Sequence, residues 1–190
     1  MKTVKRLFII AVVFFAIGEI IIAITHFTKQ DEIDRIDDGY QSKMITIDEN
    51  IVNLFIDATG ADVDIMYGNR PMLSIDNCYM DGFSYSVEEG TLKISQRDPS
   101  VIDFMGWSFP GLMLGSSSGN NSRITLCIPE DMMLDNATVT VGKGDVNIEQ
   151  LACRRVVAQV GFGDLVIQKV KGLEKYAYQS KLGKTELNIE

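Results

Sequence analysis

Acidic side chains are the first candidates for chemistry in this chain, because two of them stand in a pattern that returns. Val141-Gly142-Lys143-Gly144-Asp145-Val146-Asn147-Ile148 comes back 19 residues later as Val160-Gly161-Phe162-Gly163-Asp164-Leu165-Val166-Ile167. Gly- and Asp-rich corners invite a calcium reading. Calcium-binding β-rolls, however, repeat about every nine residues, whereas this pattern supplies one Asp in a much longer period. Gly142, Gly144, Asp145, Gly161, Gly163 and Asp164 are therefore read as structural corners, the glycines permitting positive φ and the aspartates bonding turn amides. No helix follows the Gly-x-Gly step, so it is no nucleotide fingerprint.

Other chemistries find fewer parts. Asp62 and Asp64, two apart on a strand, point to one side and form an acid–base pair only on paper; a solvated face is the simpler reading. The one histidine, His26, makes neither a metal centre nor a triad with the serines of Ser116 to Ser122, a polar turn. Cys78, Cys127 and Cys153 are an odd set without a Cys-x-x-Cys spacing, and Cys127, inside Ile124-Thr125-Leu126-Cys127-Ile128, is read as a small buried hydrophobe. The pattern calls for no metal and no cofactor.

One segment stands out as an interaction candidate. Residues 97–123 interrupt the regular pattern with a Gly/Pro-broken stretch holding the single Trp of the chain, and Phe104, Trp107, Phe109, Leu112 and Leu114 must be covered by something. Two readings stay open: the insertion folds back to cap the stack or cover one face, or it is a partner or membrane contact.

The elements that carry these residues are strands. From Met44 onward apolar residues alternate, as in Ile45/Ile47, Leu54/Ile56, Val63/Ile65 and Leu73/Ile75, between turn residues such as Asn50, Gly60 and Gly68-Asn69. Phe83 to Val87 and Thr91 to Ser95 read as a hairpin around Glu88-Glu89-Gly90. Thr59-Gly60-Ala61-Asp62-Val63-Asp64-Ile65 is a weaker echo of the corner motif, and Ser180 to Leu187 a degenerate one with Lys184 in place of Asp. The expected fold is all-β: a single-stranded β-solenoid-like stack of short strands with coils of about 19–20 residues, preceded by one N-terminal transmembrane helix.

Leu7 to Thr25 supports that helix: it holds Glu19 as its single charged residue and reaches about 28 Å at about 1.5 Å per residue, near the thickness of a bilayer core. Lys2, Lys5 and Arg6 precede it and a mostly acidic run follows, which places the N-terminus in the cytoplasm and the C-terminal domain outside. A signal peptide cleaved near Ala16-Ile17-Gly18 is the rival; Ile20 to Ile24 continues the apolar run against it. The expected organisation is a basic tail at 1–6, a signal anchor at 7–27, an acidic linker at 28–43 and an ectodomain at 44–190. Glu19 inside the bilayer marks a contact with a partner helix, unless it is protonated or lies near the interface. With a formal net charge of −8, and its basic tail set apart, the exported part is too acidic to bind nucleic acid.

The strands Ile45 to Ile65, the segment Phe83-Ser-Tyr-Ser-Val-Glu-Glu-Gly-Thr-Leu-Lys-Ile94, the step Ile124-Thr-Leu-Cys-Ile-Pro129 and the Gly-x-Gly-Asp-Val/Leu-x-Ile coils together resemble the putative-adhesin family of bacterial envelope proteins, a domain of unknown function. The likeness covers residues 44–190. It implies a single-pass or secreted β-solenoid and carries over no catalytic residue. Where longer relatives continue, this sequence stops at Glu190 just after a strand, so self-association through an open strand edge is expected. The reading that follows is a non-enzymatic, membrane-anchored envelope scaffold, with the bilayer and a protein or cell-wall component as partners, in adhesion or envelope-stress sensing. A regulatory subunit docking on a membrane protein is the alternative, and a polysaccharide-processing solenoid enzyme the enzymatic one.

Overall fold

The computed structural model describes residues 39–97 and 122–188, together with the backbone of 101–104 and 107–110. The expected anchor at 7–27 and its Glu19, His26, and the loop residues Leu112 and Leu114 lie outside the described residues. Among the described residues no helix is long and apolar enough to cross a membrane. The strands are β1 (Tyr40–Thr46), β2 (Asn53–Gly60), β3 (Asp62–Tyr67), β4 (Met72–Tyr79), β5 (Phe83–Glu88), β6 (Thr91–Gln96), β7 (Val101–Phe104) and β8 (Trp107–Pro110). They continue with β9 (Arg123–Ile128), β10 (Leu134–Lys143), β11 (Val146–Ile148), β12 (Leu151–Phe162), β13 (Leu165–Ile167), β14 (Val170–Lys171), β15 (Lys175–Leu182) and β16 (Thr185–Leu187). A 3-10 turn, Met80–Gly82, leads into β5.

The coils expected from the repeat are present, each with a longer strand in one sheet and, round the Gly-Asp corner, a second strand in the other. One sheet runs β5-β6-β2-β10-β12, with β15 and the short β14 both on β12; the other runs β1-β4-β9-β3-β11-β13-β16. Pairing between successive coils is parallel, as a helical winding of the chain demands, while β5 on β6, β4 on β9 and β1 on β4 are antiparallel additions at one end. β1 starts at Tyr40, inside the segment expected as linker.

Period-two alternation explains the core. In the first sheet Leu92, Leu54, Ala137 and Val156 share one inward row, and Ile94, Ile56, Val139 and Ala158 the next; all are at most 2 % exposed. In the second sheet Ile124, Val63, Val146 and Leu165 line up, as do Leu126, Ile65, Ile148 and Ile167. Each Val, Leu or Ile of these rows contributes about 1.5–3 kcal/mol by leaving water, and no single coil buries its row without its neighbours. The β5–β6 hairpin turns at Glu89 and Gly90, both at positive φ (50° and 74°), the backbone of a type I′ turn that suits the strand twist.

The stack order departs from the sequence order. The β2–β3 coil lies between the β6/β9 pair and the β10–β11 coil, so the weak echo at Asp62 is a full member of the stack, in register with Val146 and Ile148 through Val63 and Ile65. The insertion is more regular than expected: β7 and β8 form an antiparallel hairpin, Phe104 opposite Trp107 and Ile102 opposite Phe109. β-Branched and aromatic residues at these positions favour a pleated backbone.

Candidate binding surfaces of the stack

The Gly-Asp corners form a staircase. The Asp62 carboxylate accepts the Asp145 N–H at 3.0 Å, Asp145 accepts that of Asp164 at 2.8 Å, and Asp164 accepts that of Lys184 at 2.7 Å. Each aspartate thus satisfies the first amide of the next coil, and Lys184 ends the series because it has no acceptor to offer. The glycines before them have no room for a side chain. A Cβ on Gly163 would lie 2.1 Å from the Gly144 carbonyl oxygen, at φ +141°, and one on Gly161 would lie 2.4 Å from that of Gly142. The six corner residues named from the sequence therefore come together as one column.

Asp62 and Asp64 are not a freely solvated face. Both pair with Arg123, at 3.4 and 3.3 Å, and both side chains are largely covered. Three groups locked in mutual ion pairs are poor material for proton transfer, which needs one carboxyl held neutral. Ser122 also departs from the expected polar turn: it is buried, donates to the Asn77 carbonyl at 2.7 Å, and its own carbonyl accepts the Asp62 N–H.

Cys127 corrects the expectation of a buried small hydrophobe. Ile124, Leu126 and Ile128 take the inward positions of β9, so Cys127 faces outward and is half-buried, while Cys78 and Cys153 fill the core. None of the three is in a disulfide. Burial pushes the Cys127 thiol above its ordinary pKa; at Cys153 burial does the same, aided by the Asp135 charge and opposed by backbone hydrogen bonding.

Of the aromatic residues singled out in the insertion, Phe104 ends β7, and Trp107 and Phe109 lie in β8. The backbone of β7 comes within 8 Å of β2, and that of β8 within 8 Å of β10 and β12. The hairpin thus folds back toward the middle of the first sheet.

Two further surfaces escaped the sequence reading. On the outer face of the first sheet, a shallow groove of about 260 Å³ crosses the strands near their corner ends, lined by Asp57, Thr140, Gly142, Gln159, Gly161 and Gln179 among others. Asp57 there binds Arg97 through both guanidinium nitrogens, at 2.5 and 3.4 Å. At the end of the stack, Tyr176 and Tyr178 occupy inward rows yet are 58 % and 40 % exposed, their rings stacked at 5.6 Å, with Leu182 also open to solvent. Among the described residues β15 and β16 pair on one side only.

A family model described as Toastrack DUF4097 matches residues 51–190. The chain belongs to the Toastrack DUF4097 family. The Toastrack assignment covers almost all of the resemblance drawn from the sequence and agrees with the all-β stack. Solved structures similar to this Toastrack chain include one described as a putative cell adhesion protein from Clostridium sporogenes, 10 % identical, with a TM-score of 0.47 over 80 % of this chain and 100 % of that one. Another, described as a putative lipid binding protein from Parabacteroides distasonis, is 14 % identical with a TM-score of 0.42, covering 80 % of this chain and 59 % of that one. A third, a putative adhesin from Bacteroides fragilis, is 10 % identical with a TM-score of 0.39, covering 77 % of this chain and 96 % of that one. A search of curated proteins found no match.

Proposed function

We propose that this Toastrack protein is a non-enzymatic scaffold of the bacterial cell envelope, anchored through residues 7–27 with its N-terminus in the cytoplasm, that binds a protein or wall component in adhesion or envelope-stress sensing. The observation that carries the reading is the last coil. Among the described residues β15 and β16 pair on one side only, beside Tyr176, Tyr178 and Leu182, an arrangement that accepts an added strand or a second copy of the stack. The β7–β8 hairpin supplies a second contact, with Phe104, Trp107 and Phe109 as its anchors. The apolar length of Leu7 to Thr25 and its basic flank support the anchor.

Photo-crosslinking tests this directly. A photoreactive amino acid at Tyr178, and separately at Trp107, is placed in the full chain in native membranes. A discrete covalent adduct at either position is the expected result, and a self-adduct at Tyr178 identifies a second copy. Absence of adducts at both positions overturns the scaffold reading.

Glu19 favours one variant of it, a regulatory subunit docked on a membrane protein, because a carboxylate within an apolar helix is stabilised by a partner. Glu19→Leu then loses an integral-membrane partner that the wild type retains; retention overturns the variant.

A further inference from the structure

The outer face of the first sheet carries transverse rows of side chains, and two of them contrast. In the first, Thr91, Asn53 and Asn136 face one another across three strands and bond along the row, Asn53 to Thr91 at 3.5 Å and Asn136 to Asn53 at 2.7 Å. Their hydrogen-bonding capacity is turned on each other. The row through the groove is Ser95, Asp57, Thr140, Gln159 and Gln179, on five adjacent strands. Among the described residues, the side chains of Thr140, Gln159 and Gln179 make no hydrogen bond, although each glutamine offers two donors and an acceptor.

We infer that this row is a binding site for an uncharged, hydroxyl-rich glycan strand lying across the β-strands. Strands stand about 4.8 Å apart, so the row from Ser95 to Gln179 extends about 19 Å, the reach of a short oligosaccharide. Regularly spaced hydroxyl and amide groups match the regularly spaced hydroxyls of such a chain. Gly142 and Gly161 form the floor beside the row and let a ring approach the backbone. Phe55, two residues before Asp57 on the same face and 43 % exposed, supplies an aromatic surface for the C–H face of a sugar. Among the described residues two cations line the groove and both are engaged, Arg97 with Asp57 and Lys181 in an interaction of its own, so the row selects against neither sign of charge by itself and gives an anionic chain no uncommitted cation. Hydrolysis by a carboxylate pair needs a second free carboxyl, and among the described residues of the lining Asp57 is the one carboxylate; binding is therefore the role assigned to the site.

This inference rests on the scaffold reading and names the wall component as a glycan. The test is isothermal titration of the full chain, purified in a non-glycoside detergent, with cello- and chito-oligosaccharides, and with oligogalacturonate as the anionic comparator. Heat is expected with at least one neutral oligosaccharide. The double variant Gln159→Ala, Gln179→Ala should weaken that binding at least tenfold, and Thr140→Trp, which fills the groove, should abolish it, both at unchanged melting temperature. No heat with either neutral series, stronger binding of oligogalacturonate, or an affinity unmoved by the variants overturns the inference. Adducts at Tyr178 without oligosaccharide heat would overturn it alone and leave the scaffold reading standing.

Discussion

The β10–β11 coil and the β15–β16 coil descend from one pattern and meet opposite surroundings. Val139 in the first is fully buried, with Ala158 and Ile56 on either side; Tyr178 in the second holds the same inward row and is 40 % exposed. Ala137 and Tyr176 make a second such pair, Val141 and Ser180 a third. Pattern decides membership of the stack, whereas position within it decides burial. In the first two pairs the residues have adjusted accordingly, aliphatic where two coils press on them and large and amphipathic at Tyr178 and Tyr176, while Ser180 in the third is small and polar.

Glycine substitutions break this contrast most sharply. Gly163→Ala drives a Cβ to 2.1 Å from a carbonyl oxygen in the interior of the column and should cost at least about 3 kcal/mol in urea unfolding. Gly183→Ala meets a closer contact, 1.9 Å, but on an outer coil that can lift away from its neighbour. Its global loss should be smaller, with faster amide exchange confined to residues 175–187. Equal losses would show that the last coil is bound as firmly as the middle ones.

Core truncations come next. Ile56→Ala should cost about 2–5 kcal/mol and Tyr178→Ala less than about 1 kcal/mol, both read from denaturant midpoints. In the corner staircase Asp145→Ala should cost about 1 kcal/mol, through the Asp164 amide it leaves unbonded, and Asp164→Ala less, since its dependent is the outer coil. The smallest effect separates the thiols. A raised pKa keeps a thiol protonated to higher pH, so alkylation of Cys127 and Cys153 should be slower than that of an exposed thiol at pH 8 and accelerate as pH rises. Cys127 should react before the fully buried Cys153. Mass spectrometry after a timed iodoacetamide pulse reads both.

Much of this arrangement was legible in the chain. The repeat at Asp145 and Asp164 defined the column, and the strand alternation defined the inward rows. Cys127 was misplaced because an apolar run hid the alternation of Ile124, Leu126 and Ile128, which puts the residue between them on the other face. The place of Asp62 in the column was legible only as an echo, since nothing local specifies that its coil lies between one formed with β6 and another formed with β10. The groove row was harder still, because each strand contributes one polar residue. Its trace in the sequence is that Thr140, Gln159 and Gln179 recur at the spacing of the corners, which a search for clustered residues passes over.

The displaced β2–β3 coil has a consequence for how the protein is made. Asp62 waits 83 residues for Asp145, the amide that its carboxylate receives, and at about 5–20 residues per second that delay during synthesis is on the order of several seconds. β6 and β9 arrive sooner and cover one flank of the waiting coil, leaving the other flank of β2 and β3 bare until β10 and β11 emerge. For that interval the nascent chain carries, at what becomes the middle of the described stack, a naked parallel edge of the kind that β15 and β16 show among the described residues. A chaperone that shields strand edges would find its substrate there, and the vulnerable species is the half-made stack.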